Sequence, residues 1–150
     1  MNVRKSLFLI LMLIFVSSVA YATTTPPIWN GVNEKLPFFK ENGFTFETFK
    51  LPKNLYKKEM IELTIVIPEA VKYEQSNNTF SNVLLLNDEI EVDVLPFDYS
   101  GKKRVIITLS TAMAEQSELC FCYKNLDSNV TPGTQFRLKV ADILEAVDNK

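Results

Sequence analysis

The chain is expected to fold as an antiparallel β-sandwich of about seven strands, and three observations carry that reading. Short stretches alternate aliphatic and polar residues, most clearly Met60 to Ile67 and Thr134 to Val140. Turn residues separate them at close spacing: Pro68, Asn87-Asp88, Asp98-Tyr99-Ser100-Gly101 and Thr131-Pro132-Gly133. No stretch carries the 3.6-residue periodicity of a long helix. A small closed barrel is the alternative architecture.

The first 22 of the 150 residues are expected to lie outside that domain. Arg4 and Lys5 form a basic start, Leu7 to Val16 is an unbroken apolar run, and Ala20-Tyr21-Ala22 has the small-x-small pattern of a cleavage site. That is a secretory signal peptide with cleavage after Ala22. The apolar run is well short of the roughly 20 residues that span a bilayer, so no membrane span is expected after cleavage. The expected location is outside the cytoplasm: extracellular, cell-surface or periplasmic. The remaining 128 residues suffice for one self-supporting core, divided as an extended arm over 23–42, the sandwich over 43–142 and a tail over 143–150.

Charge and composition exclude several function classes. The chain has 16 basic and 18 acidic residues, and removal of Arg4 and Lys5 leaves 14 against 18. A mature net charge of −4 argues against a nucleic-acid partner, which requires a basic face. There is no histidine. The commonest general base, metal ligand and neutral-pH switch are therefore all missing.

In chain order, Thr23-Thr24-Thr25-Pro26-Pro27 favours an extended arm. Ile28-Trp29-Asn30-Gly31-Val32 follows, with the only tryptophan. Ile28 and Val32 fall on one alternating side, which suits a strand added to the exposed edge of a neighbouring sheet. The alternative is Trp29 packed against its own domain. Leu36-Pro37-Phe38-Phe39 reads as a packed loop. Phe44 to Phe49 is strand-like with aromatics on both faces. In Met60 to Ile67, Ile61, Leu63, Ile65 and Ile67 share the buried face. Tyr73 to Ser81 reads as a polar loop.

The stretch Val83 to Leu109 is expected to organise the rest. Val83 to Leu86 forms one strand and Asn87-Asp88 a tight turn. In the next strand Ile90, Val92 and Val94 face the core, with Glu89, Glu91 and Asp93 on the wet face. Pro96 ends it, and Arg104 to Leu109 returns after the turn at Gly101. Lys102-Lys103-Arg104 reads as a solvated turn. One helical turn is expected near Ser110 to Glu115, then a strand over Glu118 to Tyr123. Phe136, Leu138 and Val140 point inward in the last strand, and a short helix or frayed tail follows over Asp142 to Val147. Asn77-Asn78-Thr79 and Asn129-Val130-Thr131 have the glycosylation pattern.

Three of these pieces, Ile61 to Val71, Gly101 to Leu109 and Asn125 to Val140, together resemble the immunoglobulin-like sandwich modules of microbial cell-surface and extracellular proteins. There, too, a strand ending in proline precedes a long loop, and a late proline–glycine turn enters the last strand. The likeness spans roughly residues 60–140 and implies structural or adhesive roles, with no catalytic residues to carry over. Such modules usually occur in strings, whereas this chain has one.

Few residues carry chemistry. Cys120 and Cys122 fall on one face of a strand about 6.5–7 Å apart. A disulfide needs Cβ atoms about 3.5–4.5 Å apart, so they do not bridge each other in a regular strand. Four readings remain: buried apolar packing, intermolecular disulfides, a soft-metal site such as one for Cu(I), and a mutual bridge across a bulge. Glu89, Glu91 and Asp93 lie too far apart along a strand to chelate one Ca²⁺ unaided. No nucleophile–base pair or phosphate loop can be assembled, and no cofactor is implied. The expectation is a non-enzymatic secreted module that works by protein contact or self-association through an edge strand. It would serve a filament, surface layer or adhesin. A carbohydrate- or small-ligand-binding module using Trp29, Phe97 or Tyr99 is the alternative.

Overall fold

The computed structural model describes residues 31–88, 90–125 and 134–148. Strands hold 58 % of the structure and helices 19 %, which places the chain in the mostly-β class. There are two sheets, and the ten strands among the described residues exceed the seven expected. In chain order they are β1 (Gly31–Asn33), β2 (Thr45–Lys50), β3 (Met60–Ile67), β4 (Ala70–Tyr73), β5 (Ser76–Asn87), β6 (Ile90–Val94), β7 (Phe97–Tyr99), β8 (Lys102–Ser110), β9 (Ser117–Asn125) and β10 (Gln135–Lys139). The described residues also hold three short helices: α1 (Leu36–Glu41), α2 (Thr111–Gln116) and α3 (Val140–Asp148).

The larger sheet runs β1-β10-β9-β5-β4, with β6 also on β5, and it curls into a half-barrel. The smaller runs β2-β3-β8-β7. Among the described residues all strand pairings are antiparallel except β1 on β10. The two sheets enclose one core. Ile61, Leu63, Ile65 and Ile67 of β3 face Val83 and Leu85 of β5 and Leu119, Phe121 and Tyr123 of β9, all buried together. The strict alternation in β3 produces this: every second side chain is buried and the intervening ones are half-exposed. Tyr123 lies wholly inside, and its hydroxyl donates to the Pro68 carbonyl at 2.9 Å, tying β9 to the β3–β4 connection.

Several expectations are corrected. Leu36 to Phe39 is the helix α1 and no loop. Pro37 sits in its first turn, where a missing N–H is no loss, and Leu36 and Phe39 enter the core. The arm therefore ends earlier than residue 42: Gly31–Asn33 pairs with Gln135–Arg137 of the same chain. Deletion through Leu36 would remove a strand and a core side chain.

Tyr73 to Ser81 is no loop either. β4 and β5 meet in a hairpin whose two turn residues, Glu74 and Gln75, both take positive φ (47° and 67°). Buried Asn78 sits inside β5 with its side-chain nitrogen donating to the Val71 carbonyl and to Ser76, while its Oδ1 has no hydrogen-bond partner among the described residues. Lys102-Lys103-Arg104 begins β8. The turn lies one step earlier, at Ser100 and Gly101 (φ 52° and 71°), where glycine meets the positive φ that a two-residue hairpin demands. Ser110 caps α2 by accepting from the Met113 N–H at 3.2 Å. Ser117 then donates to the Met113 carbonyl and accepts from Asn87, which fastens α2 to the end of β5.

The organising hairpin is also displaced. β5 is the interior strand, and β6 lies on the rim of the larger sheet. Val92 sits opposite Leu85 and Val94 opposite Val83, so these side chains do share the core-side face. Ile90 and Val92 are nonetheless 59 % and 47 % exposed, and only Val94 packs against the core.

Candidate functional site

The described surface concentrates its apolar exposure on one edge. Ile90, Val92, Leu95, Phe97 and Tyr99 are all exposed within ten residues. Leu95, at 83 %, is the most exposed large apolar side chain among the described residues. These residues run from β6, on the rim of the larger sheet, through Leu95-Pro96 to β7, on the rim of the smaller one. No strand lies outside β6 or β7 among the described residues, so unpaired backbone groups border the apolar strip.

On β7, Phe97 and Tyr99 alternate onto one face. The Arg104 guanidinium lies 4.6 Å from the Tyr99 ring centroid, a cation–π distance. Next to it in β8, Lys103 reaches over the Phe80 ring at 5.2 Å and covers core at the sheet's end. Glu91 and Asp93 are exposed on the opposite face of β6 from Val92, and Glu89 lies outside the described residues. Among the described residues no group of three or more cysteine or acidic side chains converges to hold a metal ion.

Cys120 and Cys122 share the face of β9 turned away from the main core, as alternation demands. With Leu84 and half-buried Leu86 they form a separate small apolar cluster. Neither is bridged, and both are buried. A hydrogen bond with Cys122 lowers the Cys120 thiol, against burial, and Arg137 adds to the lowering. The same hydrogen bond and burial push Cys122 up, so ionisation of one thiol opposes ionisation of the other. The Cys120 sulfur also lies 3.8 Å from the Gln135 side-chain oxygen.

Two surface hollows lie among the described residues. One, of about 330 Å³, opens between β2, the β2–β3 loop and α3, and is lined by Thr48, Lys50, Lys53, Glu59 and Leu144. Lys53 pairs with Glu59 there and holds its carboxyl below the usual range. The other, about 660 Å³, is an open trough between α1 and α3 lined by Lys35, Lys40, Glu41 and Asp142.

Of the proposed partner-binding residues, Ile28 and Trp29 lie outside the described residues, as does the sequon at Asn129. Val32 is half-buried and paired with Phe136 in cis. Asn77 of the other sequon is exposed. Sequence reading missed the β6 edge because alternation there looks the same whether or not a second sheet covers it. The available signal was Leu95 before Pro96, an apolar residue outside any strand. Compared with protein-family models, curated proteins and solved structures, the chain matches none.

Proposed function

We propose that this chain is exported, loses residues 1–22 and works without catalysis as an immunoglobulin-like β-sandwich that binds other proteins. It would be a subunit or accessory of an extracellular assembly: a filament, a surface layer or an adhesin. The observation that carries the reading is the exposed apolar strip along β6 and β7, bordered by unpaired strand edges. Apolar side chains left at the rim of a sheet favour a partner that covers them. The free main-chain groups beside them offer that partner strand-like hydrogen bonds. The likeness to microbial surface modules supports the same use.

A carbohydrate-binding reading has one observation in its favour: Phe97 and Tyr99 are exposed on one face of β7. Against it, Arg104 occupies part of the Tyr99 ring surface. The test compares glycan-array binding with light scattering of the chain, alone and mixed with surface proteins of its host. The expected result is protein association that Val92→Lys abolishes, with the array at background. Glycan binding that Phe97→Ala removes, without protein association, would replace this reading by the carbohydrate one.

A further inference from the structure

The strip on β6 has a counterpart on the other side of the molecule. β2 is the opposite rim of the smaller sheet and, like β6, has no strand outside it among the described residues. At its end Phe49 is 72 % exposed, and Leu55 and Tyr56 stand exposed in the loop that follows. The two edges carry opposite charge. Residues 88–93 hold four acids and no base; residues 45–59, which span β2 and the loop after it, hold four lysines against Glu47 and Glu59, and Glu59 pairs with Lys53. The chain path puts them on opposite flanks. β6 passes through Leu95-Pro96 straight into β7, so the β6 rim of one sheet and the β7 rim of the other lie on one flank. β2 is the far rim from β7, and α3 packs against both β2 and β10 on that flank.

We propose that the occupant of the acidic β6 edge is a second copy of this chain, presenting the end of its β2 edge and the lysine-bearing loop that follows, residues 49–58. The contact is head to tail. Two β6 edges facing each other would set acid against acid, and two β2 edges lysine against lysine, so the isologous pairings are disfavoured. The heterologous pairing matches apolar to apolar and acid to base. A heterologous contact between opposite flanks leaves one free edge of each kind at the ends and so propagates in an open row unless the rotation closes a ring. This inference rests on the protein-contact reading above and names its partner.

Sedimentation velocity of the full chain over rising concentration tests it, using Glu91→Lys/Asp93→Lys, Lys57→Glu/Lys58→Glu and the fourfold combination. All four positions are exposed, and thermal melts confirm that each variant is folded. The wild type is expected to grow in mass with concentration and to shrink with added salt, since exposed charges are screened. Each double variant alone should associate at least about tenfold more weakly. An equimolar mixture of the two should regain open-ended, alternating growth, because the unaltered pair of edges and the reversed pair are then both complementary. The fourfold variant should regain open-ended growth. Association that ignores the reversals, or a mixture that forms no complex, overturns the pairing of these two edges. A wild type that stays monomeric overturns self-association; loss of binding to a different protein in Val92→Lys would then leave the protein-contact reading standing.

Discussion

Val92 lies directly opposite Leu85 on the same face of the larger sheet, yet Leu85 is 7 % exposed and Val92 47 %. The difference is one of coverage, since both residues have the same chemistry and point the same way. Leu85 lies in the core shared with the four-stranded sheet, and Val92 sits on a rim strand that packs against that core only at its end, through Val94.

The pair yields the first prediction. Leu85→Ala should destabilise the fold by about 2–5 kcal/mol in urea titration, through lost burial and the cavity left behind. Val92→Ala should stay within about 0.5 kcal/mol, as surface changes do. Comparable losses at both positions would mean that β6 is covered and that its strip is core.

Within the smaller sheet the same contrast runs along one strand. Ile65 is buried and Thr64, its neighbour, is half-exposed on the outer face. Ile65→Ala should cost about 2–5 kcal/mol and Thr64→Ala under about 1 kcal/mol. Equal and small effects would place β3 in another register.

Tyr123 links stability to pH. Burial raises its phenol above the ordinary value near 10. The unfolded chain therefore gives up this proton first as pH rises, and the folded state keeps it. The stability linked to Tyr123 is complete below about pH 10 and falls as pH climbs beyond that point. Tyr123→Phe removes the hydrogen bond to Pro68 and should cost about 0.5–1.5 kcal/mol at neutral pH. It should also flatten the alkaline decline relative to wild type. Parallel alkaline slopes in the two proteins would show that the phenol ionises equally in both states.

The cysteines give a chemical check. In the native protein a thiol reagent should label both slowly, because both are buried. After denaturation without reductant, two thiols per chain should react at once. A monomer with no free thiol and a mapped Cys120–Cys122 bond would contradict the unbridged geometry, and a disulfide-linked dimer would show that these sulfurs reach a second molecule.

Particular strands show how much of this was legible in advance. β3, β8 and β10 could be read because one face of each is apolar, and the helix at Thr111 was expected as one turn; the tail expected over 143–150 is instead part of α3, whose Val140 and Ile143 enter the core, the helix having been only one of two readings of Asp142 to Val147. β5 was half-read. Its polar start, Asn77-Asn78-Thr79, has no alternation, and the Glu74-Gln75 turn lacks the glycine or asparagine that would signal it. α1 was hidden by Pro37, a helix breaker everywhere except in the first turn. β1 is three residues long and is held by β10, about a hundred positions away, so nothing local betrays it. The shared face of Cys120 and Cys122 followed from alternation. Their separate cluster did not, because β9 is apolar on both faces. The β6–β7 strip depends on how far one sheet extends past the other, a non-local property that no window of sequence contains.

The central claim is that this strip meets another protein. A photo-reactive amino acid placed at position 92 of the full chain, in the cells that make it, tests this most directly, with position 115 as an exposed control on α2. Irradiation should give discrete protein adducts from position 92 and none from 115. An absence of protein adducts at 92, or the same adducts from both positions, would contradict the account.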